Sequence, residues 1–510
     1  MEVISCKDLS FAYPKSENNV FSRVNLSVNS GEMVLLIGES ATGKSTLLKL
    51  LKKEIAPFGK KEGEITINGT ACYVSQNVYE SLVTDRVRSE LSFGLTNMGM
   101  DGYEIELLVA ETASYFNLEN KLDSEISSLS GGEVQMLNLA SVMIMKPDIL
   151  LLDEPTSQLD PVSAARFLEM IKRLHRDFST SIIMAEHNLD SVFDSCNSLL
   201  IAEKDNGITK LSPDETIRYL KRIDSPLTAL IPIQYRLYDG ARTIEQCREI
   251  LKTKQLNVPD ERTEKCDVAL KASNISFAYK KGIDILDRLS LKVYKDKINA
   301  VLGPNSSGKS TLLYALAGVK KPYYGKIKYN GKISMLCQNV WDLFTKDTCE
   351  EEVAFGDLTK FLGIGDELKK RHPYDISGGQ AQRIALAKVL ETDADIILLD
   401  EPTKGFDPLI KKQFASLLSE LCKNGKTILI VTHDIEFAGE YADFVSFLSR
   451  GKIITTLPRR TFFSSLNFYT TAISKITKGT ANNIVSLNDL VEEGGAELKI
   501  IYFCRFPSCR

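Results

Sequence analysis

The sequence predicts an α/β protein built from two tandem copies of one domain, each with a mostly parallel sheet lobe and a helical subdomain. Three observations support this prediction: one set of motifs occurs twice in the same order, short apolar runs alternate with amphipathic stretches, and the composition is globular. Hydrophobic residues make up 43% of the 510 residues and charged residues 25%, which leaves ample apolar side chain for buried cores. Length alone would allow about three or four unrelated domains, and the repeat replaces that expectation.

Charge and hydropathy argue against several classes of protein. The net charge is −4, from 63 Lys and Arg against 67 Asp and Glu, and it does not favour a surface that coats nucleic acid. No run of 18 or more apolar residues occurs, and the amino-terminal stretch MEVISCKDLS carries charges where a signal peptide needs apolar residues. Ten cysteines without a C-x-x-C pair are typical of reduced thiols in a cytosolic protein. We therefore expect neither a self-contained transporter nor a secreted disulfide scaffold.

The duplication is visible as six pairs of matching segments. In chain order these are SFAY (Ser10–Tyr13 and Ser276–Tyr279), a glycine-rich segment (Gly38–Leu48 and Gly303–Leu313), a glutamine segment (Ser75–Asn77 and Cys337–Asn339), LSGGEVQ and ISGGQAQ (Leu129–Gln135 and Ile376–Gln382), a run ending in LLDEPT (Ile149–Thr156 and Ile396–Thr403), and a histidine segment (Ala185–Asp190 and Val431–Glu436). The stretch between the glutamine and the Ser-Gly-Gly element is shorter in the second copy. A period this long indicates duplicated domains rather than a solenoid.

Strand-length apolar runs and amphipathic segments alternate within each copy. Met33–Ile37, Ile149–Leu152 and Ser181–Ala185 are continuously apolar or β-branched, whereas Thr46–Lys53 and Ala164–Leu174 are amphipathic. Continuously apolar strands separated by helices indicate a parallel sheet that is buried on both faces.

The remaining segments complete the predicted organisation. Residues 78–128 hold no strand pattern and are predicted to form a helical subdomain. We predict a first domain at 1–222, a connector at 223–267, a second domain at 268–458 and a carboxy-terminal extension at 459–510.

Each glycine-rich segment follows an apolar strand and opens a helix. The pattern G-x-x-x-x-G-K-S, at Gly38–Ser45 and Gly303–Ser310, is that of a P-loop, in which backbone N–H groups wrap a phosphate and the lysine adds positive charge. The Ser45 and Ser310 hydroxyls are suited to hold Mg²⁺ that bridges two phosphates. A plain glycine turn is the alternative, but two copies in the same strand–helix context make it improbable.

An Asp-Glu pair ends a later strand in each copy, at Asp153-Glu154 and Asp400-Glu401. The aspartate suits the metal, and the glutamate is suited to take a proton from a water that attacks the γ-phosphate. The alternative is a strand-end carboxylate that caps the next helix. The duplicated P-loop favours the catalytic interpretation.

The chain has four histidines, and two of them, His187 and His433, occupy equivalent positions just after a predicted strand. A lone histidine is usually a packed or surface residue. A matched pair favours a sensor that hydrogen-bonds the γ-phosphate and orients the attacking water.

The Ser-Gly-Gly elements, at 130–132 and 377–379, each precede an apolar-periodic helix. Serine can cap that helix, and capping alone would explain it. Two glycines inside a helix start cost about 1 kcal/mol each, which a second phosphate-binding surface would explain.

This motif set, in this order and twice, resembles the nucleotide-binding domains of ABC ATPases, and the resemblance covers nearly all of both copies. In that family two domains pair head to tail, and each ATP lies between one P-loop and the opposite Ser-Gly-Gly element. The resemblance implies that the two halves pair within one chain, that Lys44 shares an ATP with Ser377, and that Lys309 shares one with Ser130. Both copies hold a complete residue set, so two hydrolytic sites are predicted.

The resemblance also implies a full list of site residues, with ATP and Mg²⁺ as cofactors. The catalytic residues are Glu154, Glu401, His187 and His433. The ATP-binding residues are Tyr13, Gly38, Glu39, Ser40, Ala41, Thr42, Gly43, Lys44, Ser45, Thr46, Ser130, Gly131, Gly132, Tyr279, Gly303, Pro304, Asn305, Ser306, Ser307, Gly308, Lys309, Ser310, Thr311, Ser377, Gly378 and Gly379, with the two tyrosines stacking on adenine. The Mg²⁺ residues are Ser45, Gln76, Asp153, Ser310, Gln338 and Asp400, and the loops that cross between the halves end at Asp160 and Asp407. Ala41 and Ser306 stand where the family often has glycine, and Glu133 replaces the usual glutamine.

The stretch after each glutamine, Ser75–Leu95 and Cys337–Gly356, resembles the glutamine-loop helix of energy-coupling-factor ATPases, which power vitamin and transition-metal importers. Arg371–Gln380 and Phe468–Ile473 are similar to the same group, and its fused, double-domain members are the best match. The resemblance implies two membrane partners, a scaffold subunit and a substrate-binding protein, and a peripheral location at the cytoplasmic face of the cell membrane. For the acidic stretch Glu350–Glu352, a solvated helix face remains an alternative.

Two rival classes stay open. One is a soluble twin-domain ABC ATPase that acts on ribosomes or nucleic acid, although such proteins usually add a basic arm, zinc modules or an iron–sulfur domain. The other is the ATPase of a conventional importer or exporter, which is normally a single-domain homodimer or is fused to membrane spans. The mixed charge of the connector and the absence of a cysteine cluster favour the importer ATPase, with no nucleic acid as partner.

Overall fold

The computed structural model describes residues 1–14, 16, 18–39, 42–203, 207–237, 241–253, 256–257, 266–280, 282–404, 406–481 and 483–492. The chain divides into two compact units. Unit 1 spans Met1–Pro232, and unit 2 begins at Ile233 and contains the described residues that follow. Unit 1 holds the first copy of the repeat and unit 2 the second.

The described part of unit 1 contains two sheets. Its strands are β1 (Glu2–Ala12), β2 (Phe21–Asn29), β3 (Met33–Gly38), β4 (Lys60–Ile67), β5 (Ala71–Val74), β6 (Ile149–Asp153), β7 (Ser181–Ala185), β8 (Ser198–Glu203) and β9 (Gly207–Leu211). A three-stranded antiparallel sheet has the order β2-β1-β4, and a six-stranded sheet has the order β5-β6-β7-β3-β8-β9, in which only β9 is antiparallel. Every residue of β3, β6 and β7 is buried, which confirms the prediction of strands covered on both faces.

Six α-helices lie in the described part of unit 1: α1 (Lys44–Leu50), α2 (Val87–Asn97), α3 (Gly102–Tyr115), α4 (Gly131–Met143), α5 (Pro161–Phe178) and α6 (Pro213–Arg222). Between β5 and β6 the chain forms α2, α3, α4 and short 3₁₀ turns, and it adds no strand to either sheet. The predicted helical subdomain is therefore present. Helices α5 and α6 each carry proline in their first turn, where the missing N–H costs nothing.

Unit 2 repeats this arrangement. Its strands are β10 (Leu256–Asn257), β11 (Val268–Phe277), β12 (Leu286–Tyr294), β13 (Ile298–Leu302), β14 (Tyr324–Tyr329), β15 (Ile333–Leu336), β16 (Ile396–Asp400), β17 (Thr427–Val431), β18 (Phe444–Ser449), β19 (Lys452–Pro458) and β20 (Val491–Glu492). Its helices are α7 (Ile233–Leu237), α8 (Ile244–Lys252), α9 (Lys309–Leu316), α10 (Cys349–Glu352), α11 (Asp357–Phe361), α12 (Gly378–Leu390), α13 (Pro408–Lys423), α14 (Ile435–Tyr441), α15 (Arg459–Ser465) and α16 (Ala472–Thr477). Two of its sheets have the orders β12-β11-β14 and β15-β16-β17-β13-β18-β19, which reproduce those of unit 1 strand for strand. Strands β10 and β20 pair in a further antiparallel sheet of two strands.

Strand order explains why motifs that are distant in sequence meet. The P-loop follows β3, the glutamine segment follows β5, the Asp-Glu pair ends β6 and the histidine follows β7. These strands are parallel neighbours, so their carboxyl ends share one edge of the sheet. The register pairs Asp153 with Ala185 in unit 1 and Asp400 with Val431 in unit 2, which sets the following glutamate beside the histidine segment.

The two units differ in the helical subdomain. Unit 1 has α2 and α3, of 11 and 14 residues, where unit 2 has α10 and α11, of 4 and 5 residues. This difference agrees with the shorter insertion predicted for the second copy.

Residues assigned from sequence to the connector and to the carboxy-terminal extension share one apolar core within unit 2. Helices α7 and α8 contribute Ile233, Leu237 and Leu251, and the segment that starts with α16 contributes Ile476 and Ile484, among others. The Arg248 guanidinium on α8 donates to the backbone carbonyl of Lys475 on α16, with Nη2–O and Nε–O distances of 2.6 and 3.0 Å. The final segment FCRFPSCR lies outside the described residues.

Candidate functional site

The unit 1 P-loop links β3 to α1. Gly43 caps α1 in the left-handed region, at φ 88°, and a Cβ there would lie 2.4 Å from a methyl carbon of Val20, so glycine is required on both counts. The Lys44 ammonium is buried and donates to the carbonyls of Gly38 and Glu39 at 2.8 and 2.9 Å. The Thr42 hydroxyl donates to the same Glu39 carbonyl at 2.9 Å. Predicted residues Ser40 and Ala41 lie outside the described residues.

The unit 2 P-loop has the same construction. Gly308 caps α9 at φ 101°, and the Lys309 ammonium donates to the carbonyls of Gly303 and Pro304, both at 2.9 Å. Ser306 also lies in the left-handed region, at φ 59°, in a position where the family often has glycine. In both loops the lysine is the first residue of its helix and its ammonium is held by two carbonyls of the loop, which suits phosphate binding at a helix amino terminus.

The aspartates that end β6 and β16 lie beside the serines of the P-loops. In unit 1 the Ser45 hydroxyl donates to Asp153 Oδ1 at 2.9 Å and the Tyr73 hydroxyl to Oδ2 at 2.8 Å. Burial raises the pKa of Asp153, against the lowering effect of these two hydrogen bonds. Sequence reasoning missed Tyr73, because a tyrosine in an apolar strand gives no local sign that it reaches a carboxylate.

The equivalent aspartate of unit 2 is less well satisfied. Asp400 is 1% exposed, and neither carboxylate oxygen has a well-formed hydrogen bond within the described residues. Burial raises its pKa to about 6. A buried carboxylate beside the Ser310 hydroxyl offers hard oxygen donors that fit a small divalent cation such as Mg²⁺.

The glutamates after these aspartates lie in strained backbone. Glu154 and Glu401 have φ values of 45° and 50°, and their N–H groups donate to Ala185 and Val431 in the neighbouring strands, both at 2.9 Å. Left-handed conformations of such residues cost on the order of 1 kcal/mol and persist only where the surroundings impose them. The same left-handed backbone recurs at the same position in both units, as it does at other matched positions such as Asp8 and Asn274.

In unit 1 the glutamate, the histidine and the glutamine of the prediction are brought together. His187 Nε2 lies 3.0 Å from Glu154 Oε1, and the Gln76 amide donates to Glu154 Oε2 at 2.8 Å. Burial alone would raise the pKa of Glu154, but the hydrogen bond and charge of His187, with the charge of Lys44, lower it. The carboxylate is therefore held ionised and oriented, as a general base must be.

In unit 2 the glutamate meets the histidine without the glutamine. His433 Nδ1 lies 2.8 Å from Glu401 Oε2. Burial lowers the pKa of His433, and the charge and hydrogen bond of Glu401 raise it by more. Gln338 is exposed, and no hydrogen bond between described residues joins it to Glu401.

The two predicted adenine-stacking tyrosines are half-exposed. Tyr13 lies 2.9 Å from the Thr46 hydroxyl through its own hydroxyl, and Tyr279 lies 3.4 Å from that of Thr311. Tyr13 is 43% exposed and Tyr279 is 57% exposed, and each ring packs edge to face on a phenylalanine of the preceding strand. The Lys320 ammonium also lies over the Tyr279 ring, 5.7 Å from its centroid.

The Ser-Gly-Gly elements form complete helix starts within their own units. Ser130 caps α4 and Ser377 caps α12, each in a capping box with Glu133 or Gln380. Glu133 therefore performs the capping function of glutamine at this position. At Gly131, Gly132, Gly378 and Gly379 no residue adopts positive φ, and at Gly378 and Gly379 a Cβ would meet nothing within 4 Å.

Asp160 and Asp407 likewise cap α5 and α13, by accepting backbone N–H groups of the first turn. Gly405, in the loop before Asp407, lies outside the described residues. A Cβ at Gly132 would lie 3.0 Å from the Ser163 hydroxyl oxygen, so packing against α5 favours glycine there. Neither positive φ nor packing requires glycine at Gly378 and Gly379, and close approach of a ligand to α12 would account for those two.

The sequence profile described as ABC transporter matches residues 21–157 and 286–404. These ranges contain both P-loops, both Ser-Gly-Gly elements and both Asp-Glu pairs. The chain belongs to the ABC ATP-binding family.

Relatives of known sequence extend the match to almost the whole chain. A provisionally named ABC transporter ATP-binding protein of Bacillus anthracis is 35% identical over 95% of this chain and 97% of its own length. A provisionally named HMP/thiamine import ATP-binding protein of Bacillus subtilis is 29% identical over 87% of this chain and 89% of its own. A chain in the crystal structure of archaeal ribosomal stalk protein aP1 with archaeal ribosome recycling factor aABCE1 has the same fold, with a TM-score of 0.60 and 22% identity over 90% of this chain and 91% of its own.

The chain is accordingly a tandem ABC ATPase that binds and hydrolyses ATP. Within the described residues, no helix is long and apolar enough to cross a membrane. The roles of individual site residues remain predictions, although the geometry brings each lysine, aspartate, glutamate and histidine to the same edge of its own sheet.

Proposed function

We propose that this ABC ATPase is the motor subunit of an energy-coupling-factor importer for a vitamin or a transition metal. It would work at the cytoplasmic face of the cell membrane with a scaffold subunit and a substrate-binding membrane protein. The relative named for HMP/thiamine import supports this proposal, as does the resemblance of the segments after Gln76 and Gln338 to the glutamine-loop helix of that group.

The observation that carries the proposal is a set of exposed apolar side chains shortly after the glutamine of unit 1. Tyr79, Val83 and Phe93 are 61%, 63% and 40% exposed, and they lie in the segment from Gln76 into α2. Exposed large apolar side chains that lie close together in the chain are candidates for a protein–protein contact. We name Tyr79, Val83 and Phe93 the glutamine-side patch and propose that it receives the scaffold subunit.

ATP would bind in two composite sites. In each, the P-loop of one unit holds the phosphates, and the amino terminus of α4 or α12 of the other unit approaches the γ-phosphate with exposed N–H groups. Mg²⁺, when bound, would be held by Ser45 and Asp153 in one site and by Ser310 and Asp400 in the other, and it would neutralise phosphate charge. Glu154 and Glu401 would accept the proton of the attacking water, and His187 and His433 would hold the γ-phosphate.

Recovery with membranes tests the proposal. The full chain should sediment with membranes when a scaffold subunit is co-expressed and should stay in the supernatant without it. The double substitution Tyr79→Ser and Val83→Ser should reduce this recovery, whereas Phe58→Ser, at an 87% exposed phenylalanine outside the patch, should leave it unchanged. Sedimentation with ribosomes instead of membranes would contradict the proposal and favour the ribosome-acting alternative.

A further inference from the structure

The residue before the predicted sensor histidine differs between the units. The repeat aligns Glu186-His187 of unit 1 with Thr432-His433 of unit 2. Glu186 and Thr432 are both buried, at 3% and 0% exposure. The ionised Glu186 carboxylate only accepts hydrogen bonds, whereas the Thr432 hydroxyl also donates one. The two side chains therefore form different hydrogen bonds with the residues around them.

In unit 2 the threonine contacts the catalytic glutamate directly. The Thr432 hydroxyl donates to Glu401 Oε2 at 3.1 Å, and its oxygen accepts the N–H of Asp434 at 3.0 Å. Because that N–H occupies a lone pair, the hydroxyl hydrogen is left to point at the carboxylate. The N–H of His433 donates to the same Oε2 at 3.3 Å, so the segment after β17 holds Glu401 through backbone and side chain together.

In unit 1 the corresponding contacts are directed away from the catalytic glutamate. Glu186 accepts the Thr156 hydroxyl at 2.7 Å and the backbone N–H groups of His187 and Asn188 at 2.8 and 3.2 Å. The histidine N–H that binds the catalytic glutamate in unit 2 thus binds Glu186 here. Within the described part of the chain, the Glu154 carboxylate meets the His187 ring and the Gln76 amide, which comes from a different strand end.

We propose that Thr432 is a positioning residue that fixes the Glu401 carboxylate toward the attacking water, and that the two ATP sites are therefore unequal. Site 2, built on the P-loop of unit 2, orients its glutamate from the histidine segment itself. Site 1, built on the P-loop of unit 1, depends on Gln76 for that orientation. This inference rests on the proposed role of Glu401 as the general base.

The experiment compares Thr432→Val with Thr432→Ser in the full chain. Valine keeps the shape and removes the hydroxyl, whereas serine keeps the hydroxyl. ATP turnover is measured as kcat and KM in three backgrounds: wild type, Glu154→Gln and Glu401→Gln. Hydrogen bonds to charged groups are among the stronger ones in proteins, so the loss of this one should raise the activation free energy. We expect Thr432→Val to lower kcat about tenfold in the Glu154→Gln background, with KM unchanged. Serine should restore most of the loss, and Thr432→Val should have no effect on the turnover that remains in the Glu401→Gln background.

A second buried threonine provides the matched control. Thr156→Val removes a hydroxyl that donates to Glu186 and not to a catalytic glutamate, and in the Glu154→Gln background it should leave kcat unchanged. Three results would overturn the inference. Thr432→Val could lower kcat equally in the Glu401→Gln background, it could raise KM in proportion to the loss, or Thr432→Ser could fail to restore kcat. If Glu154→Gln alone abolishes turnover, the two-site function is wrong, and the wild-type background then decides the role of Thr432 by the same kcat, KM and serine criteria.

Discussion

A buried carboxylate in the carboxy-terminal segment of unit 2 offers a sharp test of how that segment is held. Asp489 is 3% exposed, and its Oδ1 accepts from Arg460 Nη2 and Nε at 2.5 and 3.1 Å, with Arg459 Nη2 at 3.5 Å. Its Oδ2 accepts the backbone N–H groups of Val485 and Ser486 at 3.2 and 3.0 Å. The carboxylate therefore joins α15 to the loop that precedes β20.

The substitution Asp489→Asn keeps the shape and removes the charge. The amide oxygen can still accept from one pair of donors, but its NH₂ group must face the other pair. Breaking a buried ion pair by removing one partner costs about 3–5 kcal/mol, and Arg460 is partly exposed and can recover some solvation. We expect the free energy of unfolding of unit 2 to fall by about 3 kcal/mol, roughly a hundredfold in the equilibrium constant.

The assay uses the single tryptophan of the chain. Trp341 packs against the main core of unit 2, to which Phe462 and Phe463 of α15 also belong, so its fluorescence during urea unfolding reports on unit 2. The control is Asp393→Asn, the same chemical change at an exposed aspartate that pairs with Lys426, which should leave the midpoint unchanged. Equal midpoints for the two variants, together with unchanged hydrogen exchange in residues 485–489, would refute the reasoning.

The Asp489 carboxylate should also make the stability of unit 2 sensitive to acid. Burial alone would raise the pKa of Asp489, but Arg460 and Arg459, together with the N–H of Val485, lower it overall. Glu440 is a second carboxyl group close to Asp489 and Arg459. A lowered folded-state pKa means that the stabilisation is fully present above the unfolded-state value near 3.9 and is lost as the pH falls through the lower folded-state value. The wild-type protein should therefore lose more unfolding free energy between pH 5 and about pH 2 than Asp489→Asn does.

Three further outcomes are expected. Glu154→Gln and Glu401→Gln should each remove one hydrolytic site and leave the other, and the double variant should lose about a hundredfold or more in ATP turnover. If one single variant loses all turnover and the other loses none, the protein does not have two active sites. Gly43→Ala should lower the free energy of unfolding by about 1–2 kcal/mol and weaken the binding of a fluorescent ATP analogue. The reason is that alanine is strained at φ 88° and its Cβ would lie 2.4 Å from a side-chain carbon. The control Gly102→Ala, at a position in open space, should change neither the stability nor the binding of the analogue. Ser45→Ala should raise the Mg²⁺ concentration required for half-maximal nucleotide binding roughly tenfold, measured by Mg²⁺ titration at a fixed nucleotide concentration. An unchanged Mg²⁺ requirement would contradict the prediction that Ser45 is a ligand of Mg²⁺.

The fold and the strand-end positions of the predicted site residues followed from the sequence because the signals are local and occur twice. A continuously apolar run such as Ile149–Asp153 indicates a strand covered on both faces, and the acids that follow it must lie at the strand end. The G-x-x-x-x-G-K-S spacing likewise favours a strand–turn–helix where an apolar strand precedes it, and glycine suits the left-handed backbone at Gly43.

The partners of those side chains were not predictable from sequence. Tyr73 reaches Asp153, and Met335 occupies the equivalent place in the second copy, yet both read only as strand residues. The exchange of Thr432 for Glu186 likewise shows in the sequence, but its effect on Glu401 depends on the direction in which each side chain hydrogen-bonds. Such contacts join residues far apart in the chain, and no local pattern encodes them.

The sequence by itself determined that this protein is a duplicated ATPase of the ABC family with a lysine, an aspartate, a glutamate and a histidine in each copy. Tertiary structure alone decided that the connector helices α7 and α8 share a core with α16, and that the glutamates of the two copies are held by different donors. The physical reason is one of range. Strands, helix caps and phosphate loops follow from the residues within a few positions, whereas the orientation of a carboxylate depends on donors that only the folded sheet brings to it.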